Sequence, residues 1–327
     1  MATTQDETSR ASKLLAYLQL FRAPNVFTAI ADVTMGFLFV RQSLRPGAVF
    51  VCLLAASSLL YIAGMILNDV YDFEVDARQR PQRPLPSGRI SVGWARWLGY
   101  EMLLSGVALG WLAGYIFPAD TALSWRSGVV ATALAGCIVL YDAGLKKTLL
   151  GPLAMGACRF FNVLLGMSAA GILLEARWWS LGYSSAQLLV AGGIGLYIVG
   201  VTWFARTEAT ESNRLHLASA IGVMAGGILL LSVFPQFPVF PAVLRFHSEM
   251  VWPLLLCLLG VTILRRCGAA VANPTPENVQ AAVKVCILSL ILLDASVCLA
   301  ISNPYWALAV LSLLLPTLLL GKWVYST

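Results

Sequence analysis

Acidic and basic residues are concentrated in one short stretch of the 327-residue chain, which reads NDVYDFEVDARQRPQRPLPSGRIS from residue 68 to 91. Asn68, Asp72 and Asp76 are spaced four residues apart, so in a helix their side chains stack on one face, about 6 Å apart. A hard divalent cation would stabilise such a stack, because Mg²⁺ prefers carboxylates, phosphates and other oxygen ligands. The spacing predicts a Mg²⁺ site at Asn68, Asp72 and Asp76, helped by Asp69.

Basic residues near this stretch are candidates for binding a phosphorylated substrate. Arginine binds phosphate through paired hydrogen bonds, but the arginines at 78–96 could equally anchor the loop to anionic lipid headgroups. Lys146 and Arg159 are better candidates. Arg159 lies inside an apolar segment and needs an anion, which either a substrate or Asp142 could supply.

The composition is that of a membrane protein. Hydrophobic residues make up 59% of the chain and charged residues 12%, whereas soluble domains carry about 25% charged residues. The net charge of +6 indicates membrane topology and not nucleic-acid binding, because the basic residues are scattered between apolar segments. We therefore expect membrane lipids as partners and no nucleic acid.

Apolar segments long enough to cross a bilayer, about twenty residues each, predict an all-α bundle of nine or ten transmembrane helices. The segment at 250–264 is short, and only Asn303 and Pro304 separate the last two, so the sequence leaves nine and ten open. The segments lie near residues 24–41, 48–68, 95–117, 127–145, 151–174, 186–206, 215–234, 250–264, 281–302 and 305–323.

The basic residues also orient the bundle. With a cytoplasmic N-terminus, sixteen of the 22 lysines and arginines fall in cytoplasmic segments and five in outer ones, as the enrichment of basic residues in cytoplasmic loops requires. We expect a multi-pass protein of a bacterial inner membrane, with the acidic stretch facing the cytoplasm. Residues 1–20 are predicted to form a cytoplasmic segment and residues 21–327 a single membrane-embedded domain.

Polar residues inside the predicted helices are costly in lipid and therefore suggest function. Asn25 and Asp32 are seven residues apart and share a helix face. In the fifth segment, Arg159, Asn162 and Gly166 also fall on one face. The sixth segment ends in ARTEATESN, which is a second cluster of acidic residues at a predicted cytoplasmic helix end.

These motifs together resemble the UbiA superfamily of intramembrane prenyltransferases. The stretch at 68–91 matches that family's first aspartate-rich motif, NDxxDxxxD followed by RPxRPLxSGxIS. The segment RAPN at 22–25 is similar to its N-terminal R-P-x-N element, and LKK at 145–147 with GACR at 156–159 is similar to its LKR…GxxR element. The resemblance covers roughly residues 20–170. Within the superfamily, the chain looks more like a subgroup found in Ebo-type biosynthetic clusters.

The resemblance implies a helical bundle around a lateral, lipid-open central cavity. Mg²⁺ would hold the diphosphate of a prenyl donor, and a lipophilic acceptor, aromatic or of another kind, would attack the resulting allylic cation. Metal ligands would be Asn68, Asp72 and Asp76, with Glu208 and Glu211 forming the second site. The residues expected to contact the diphosphate are Arg22, Asn25, Lys146, Arg159 and Arg206.

The second motif departs from the family pattern. Typical members carry DxxD or DxxxD after the sixth helix, whereas this chain offers only Glu208 and Glu211 there. Two other hypotheses therefore stay open beside a prenyltransferase: a carrier that moves a lipophilic metabolite through the same cavity, and a subunit without catalytic activity.

Overall fold

The computed structural model describes residues 13–116, 123–170, 180–206, 213–237 and 251–324. Within these ranges the chain forms twelve α-helices and no strand, and residues 13–20 add a further helical stretch. The helices are α1 Ala23–Arg41, α2 Gly47–Tyr71, α3 Phe73–Gln79, α4 Val92–Ile116, α5 Arg126–Ala143, α6 Gly151–Met167, α7 Ser185–Ala205, α8 Arg214–Val233, α9 Val251–Ala272, α10 Pro276–Ile301, α11 Pro304–Leu311 and α12 Leu314–Trp323.

The helices confirm the predicted all-α membrane architecture. Each of the ten predicted segments coincides with a helix, except that the last is divided into α11 and α12. The prediction at 250–264 was too short, because α9 continues through Arg265 and Arg266 to Ala272. In the described part of the chain, eight spans are long and apolar enough to cross a membrane. The division of the chain at residue 20 and the cytoplasmic N-terminus stay predictions.

Local sequence signals explain where the helices near the cavity begin. Arg22 adopts a left-handed conformation (φ 45°), and Pro24 follows within the first turn of α1, where its missing N–H leaves no bond unmade. Thr275 caps α10 by accepting a hydrogen bond from the Asn278 N–H, with Pro276 at the first helical position. Both starts fix the direction in which the following helix runs.

Small residues bring α1 and α6 into backbone contact. A Cβ atom added to Gly36 of α1 would lie 2.6 Å from the Val163 carbonyl oxygen, and one added to Gly166 of α6 would clash with the Val33 carbonyl. Small residues allow this close approach in membrane helices. The contact places the predicted polar face of α6 directly against α1.

A small apolar cluster fixes the basic loop beneath the bundle. Leu85 and Ile90 of the loop are buried together with Ile66 of α2. Ala16 and Leu20, in the helical stretch before α1, belong to the same cluster and are fully buried. The loop that carries the arginines is therefore held in a defined position next to the end of α2.

A cavity of about 1130 Å³ lies inside the bundle, lined by side chains from α1, α2, α5, α6, α7, α10 and α12. The wall at α12 is poorly buried: only 17% of the α11–α12 span lies buried within the bundle. Leu315, Leu318 and Leu319 line the cavity and are nevertheless exposed. This wall is where the cavity meets the apolar outer surface of the bundle.

Candidate active site

The end of α2 and the end of α5 meet at one mouth of the cavity. The Asn68 side-chain amide donates a hydrogen bond of 2.8 Å to Asp142 Oδ1, and the Arg22 guanidinium lies 3.4 Å from Asn68 Oδ1. All three residues line the cavity. The structure therefore joins the predicted motif at residue 68 to the start of α1 and to Asp142.

Arg22 and Arg83 form ion pairs with Asp69 and Asp76, two acids next to this mouth that do not line the cavity. Asp69 pairs with Arg22 at 3.2 Å and with Arg83 at 3.4 Å, and Asp76 pairs with Arg83 at 2.6 Å. Burial lowers the pKa of Arg22, but the Asp69 carboxylate together with Tyr61 and Tyr141 outweighs this effect, and the net pKa is raised. Arg22 thus stays cationic beside the cavity.

The predicted ladder of Asn68, Asp72 and Asp76 is interrupted in the structure. The regular helix α2 ends at Tyr71, Asp72 has φ −92° and ψ 4°, and α3 begins at Phe73. Asp72 forms a 2.8 Å ion pair with Lys146, which lies in the 3₁₀ turn after α5. Asn68 and Asp72 thus meet Asp142 and Lys146, whereas Asp76 is buried against Arg83.

The chemistry of these donors fits Mg²⁺ shared with a substrate. Asn68, Asp72 and Asp142 offer only oxygen atoms as ligands, and Mg²⁺ is typically held by one or two carboxylates, substrate phosphates and water. Among the described residues, no three acidic, histidine or cysteine side chains are placed to enclose a metal ion by themselves. The mouth therefore suits a cation that arrives with a phosphorylated ligand. The metal roles of Asn68, Asp72 and Asp76 stay predictions.

Arg159 belongs to a second polar group, deeper in the cavity. Its guanidinium pairs with Asp32 at 2.8 Å and donates to the Thr28 hydroxyl at 2.8 Å. Asn162 donates to the same Asp32 oxygen at 3.0 Å. Arg159 also lies over the Tyr61 ring, 5.5 Å from its centre. Tyr61 precedes Asn68 by seven residues on α2, a depth of about 10 Å at 1.5 Å per residue.

The anion beside Arg159 is therefore Asp32, and the proposed alternative partner Asp142 is bonded to Asn68 instead. The sequence placed Asp32 on one helix face with Asn25, and Arg159 on another with Asn162. The direct contact between the two faces could not be read from either spacing. The role of Arg159 in diphosphate binding stays a prediction, and a diphosphate there would compete with Asp32.

The other predicted residues divide into two groups. Asn25 and Arg206 line the cavity, and Arg206 donates a 2.6 Å hydrogen bond to the Thr148 carbonyl. Glu208 and Glu211, the predicted second metal site, lie outside the described residues. Their contribution stays a prediction.

The electrostatic character of the cavity is cationic. Eight lysines and arginines line it in the described part of the chain, against two acidic residues. Deeper positions on its walls are mostly apolar, for example Leu60, Ile138, Ile198 and Leu290. A cationic cavity with apolar walls in a multi-pass helical bundle suits ligands that join an anionic head to an apolar chain.

Comparison with known proteins specifies the class further. The chain belongs to the UbiA prenyltransferase family, whose model matches residues 29–282. A digeranylgeranylglyceryl phosphate synthase of Korarchaeum cryptofilum is 34% identical over 266 residues, which cover 79% of this chain and 86% of that protein. The predicted superfamily is confirmed, whereas placement in the Ebo-type subgroup stays a prediction.

Other relatives match over shorter stretches. A digeranylgeranylglyceryl phosphate synthase of Saccharolobus solfataricus is 36% identical over 141 residues, covering 41% of this chain and 44% of that protein. The structure of a UbiA homolog from Archaeoglobus fulgidus, bound to DMAPP and Mg²⁺, superposes with a TM-score of 0.55 at 15% identity, over 90% of this chain and 99% of that one. This likeness shows the fold. These relatives are archaeal, and the bacterial membrane stays a prediction.

Proposed function

We propose that the protein catalyses Mg²⁺-dependent transfer of an isoprenyl group from a prenyl diphosphate to a lipophilic acceptor within the membrane. The observation that carries this proposal is the junction at Asn68, Asp72, Asp142 and Lys146. Oxygen donors and a cation meet there at the mouth of a largely apolar cavity. Related proteins named as prenyl-transferring synthases, and a homolog bound to DMAPP and Mg²⁺, support the assignment.

The residues at the mouth suit a diphosphate leaving group. Mg²⁺, when bound, would neutralise charge on the diphosphate oxygens as their bond to carbon breaks. Arg22 and Lys146 lie beside the oxygen donors and stabilise the same developing negative charge, because both are held in place before the substrate arrives. The electron pair of the broken carbon–oxygen bond leaves with the diphosphate.

The apolar walls suit the other half of the substrate. Leu60, Met65 and Ile138 line the cavity beyond the mouth, where they exclude water that would otherwise capture an allylic cation. Tyr61 presents a ring in the same region and already lies under the Arg159 cation. An acceptor atom with a lone pair then forms the new bond to the allylic carbon and afterwards loses its proton.

The test uses purified protein, a radiolabelled prenyl diphosphate and Mg²⁺. Asp72→Asn should abolish diphosphate release, because it removes a carboxylate that faces Lys146 and the expected metal. Glu74→Gln is the matched control, since Glu74 is an exposed acid two residues away, and it should retain activity. Full activity in Asp72→Asn would overturn the proposal. Ligand binding without any diphosphate release in the wild-type protein would favour the carrier hypothesis.

A further inference from the structure

Two cysteine thiols face each other across the contact between α9 and α10, and the proposed function uses neither. The sulfur atoms of Cys267 on α9 and Cys286 on α10 lie 3.3 Å apart, and one thiol donates a hydrogen bond to the other. Both residues are buried, with 0% and 1% of their surface exposed. Cysteine is common in cores as a small apolar residue. That role does not require two sulfur atoms from different helices to meet.

The geometry of the pair is close to that of a covalent cross-link. A disulfide bond is about 2.05 Å long, so the two sulfur atoms, 3.3 Å apart, need to approach by about 1.3 Å. The two cysteines are 19 positions apart in the sequence. Their helices follow each other in the chain and are joined only by residues 273–275. A bond between them therefore closes a local helical hairpin and needs no large movement of either helix.

A soft metal ion is the other ligand that such a pair could suggest. Met224 of α8 places its sulfur 3.9 Å from Cys286 Sγ, and thiolate and thioether sulfurs suit Cu(I). A metal ion would require both thiols as thiolates, although the three residues belong to the apolar core. Among the described residues, no further acidic, histidine or cysteine side chain completes a metal site there. A disulfide is uncharged, so an apolar surrounding accepts it more readily than two buried thiolates.

We propose that Cys267 and Cys286 are a modification site: hydrogen peroxide oxidises them to a reversible disulfide that fixes α10 to α9. One thiol sulfur attacks the peroxide, which gives a sulfenic acid and one molecule of water. The second sulfur then displaces the hydroxyl group of the sulfenic acid, which forms the S–S bond and a second molecule of water. The two thiols are oxidised, the peroxide is reduced, and both thiol protons leave in water.

The position of Cys267 gives a small uncharged oxidant a short route. Cys267 lies in the last two turns of α9, directly after Arg265 and Arg266, which are both exposed. Charged, exposed side chains mark the end of a helix that meets water. Peroxide therefore reaches the pair from this end without crossing the apolar interior.

The cross-link would act on a wall of the cavity. Val283 and Ile287, on either side of Cys286 in α10, line the cavity. The Tyr197 hydroxyl of α7 donates a 3.0 Å hydrogen bond to the Cys286 carbonyl. A disulfide to Cys267 would join α9 to a point that already connects α7 and α10. Because a disulfide restricts the unfolded chain, the oxidised protein should resist unfolding better than the reduced protein.

The experiment treats purified full-length protein with hydrogen peroxide and then blocks the remaining thiols with N-ethylmaleimide in SDS. Trypsin cleaves after Arg266 and Lys284, so the two cysteines fall in separate peptides, 267–284 and 285–322. Mass spectrometry should find these peptides linked after peroxide and separate after dithiothreitol. Fragment ions assign the link to Cys286 and not to Cys298, which lies in the same peptide.

Unfolding by SDS measures the effect of the bond. In wild type, peroxide should shift the midpoint to a higher SDS fraction, and dithiothreitol should reverse the shift. Cys286→Ala should abolish the shift. Cys298→Ala is the matched control, because Cys298 is also a buried cysteine of α10, and it should keep the shift. Each variant is compared with its own reduced form, so a change in its basal stability does not affect the result.

Three outcomes would overturn the inference. The first is oxidation of the exposed Cys257 without any linked peptides, and the second is linkage only when peroxide is added to SDS-unfolded protein. The third is a peroxide shift that persists in Cys286→Ala. None of these measurements uses a prenyl diphosphate, so the result stands or falls independently of the proposed transferase activity.

Discussion

The pair of acids behind Arg159 allows a quantitative test of how charge is held inside this bundle. Asp32 and Asp294 are both fully buried and lie beside each other, on α1 and α10. No donor in the described part of the chain reaches either oxygen of Asp294. With one guanidinium available, charge balance predicts that the two carboxyls carry one negative charge between them, and that the second keeps its proton and donates to the first.

The magnitudes follow from that arrangement. Asp294→Asn replaces a neutral acid by a neutral amide of the same shape and should lower the free energy of unfolding by less than about 1 kcal/mol. Asp32→Asn removes the acid that pairs with Arg159 at 2.8 Å, but Asp294 can then take over the charge, so we expect about 1–2 kcal/mol. The double variant leaves the guanidinium buried without an anion, which should cost about 3–5 kcal/mol.

The assay is reversible unfolding of the detergent-solubilised protein by SDS, monitored by tryptophan fluorescence, for wild type and the three variants. The expected result is a coupling energy of about 1–2 kcal/mol between the two sites, because residues in contact are not additive. Additive losses would refute the sharing of one charge. A double variant as stable as Asp32→Asn would show that Asp294 does not take over the charge when Asp32 is lost.

Two further predictions concern the packing of the bundle and use the same unfolding assay. Gly166→Val should destabilise the protein by about 3 kcal/mol or more, because its side chain meets the Val33 carbonyl of α1. Gly192→Val, where a Cβ has nothing within 4 Å, should change the stability by less than about 1 kcal/mol, because valine is no worse than glycine in a helix. Equal losses in the two variants would contradict the close contact. Arg126→Met should lower the free energy of unfolding by about 3 kcal/mol, because the buried guanidinium donates hydrogen bonds to the carbonyl groups of residues 168, 170 and 182. Arg45→Met is its control, because Arg45 is exposed. An unchanged stability of Arg126→Met would show that these carbonyls find other donors.

The membrane helices could be predicted well from hydropathy, and the exceptions have physical causes. The predicted end at residue 264 marks where hydropathy falls at Arg265, whereas α9 continues to Ala272 because backbone hydrogen bonding is indifferent to side-chain charge near a membrane surface. The break between α11 and α12, at Ser312, lies within an apolar run, so a hydropathy profile does not reveal it.

The candidate site could be predicted in its residues but less in its contacts. The spacing at Asn68 and Asp72 identified the motif, yet the helix ends at Tyr71, so Asp76 turns to Arg83 and does not continue the ladder. Asp142 became part of the site through its hydrogen bond to Asn68, 74 positions earlier in the chain. Such a bond depends on how α2 and α5 pack against each other. The spacing of residues within one helix does not predict that packing.

The exposed wall formed by α12 has a consequence for how this protein can diverge. Leu315, Leu318 and Leu319 face the cavity but remain largely exposed, so exchanging one apolar side chain for another there removes few contacts from the bundle core. Under the proposed function, mutations at these positions would alter the length or branching of the prenyl chains that fit, with little effect on stability. Selectivity for hydrocarbon shape is able to evolve on this helix while the polar mouth stays fixed.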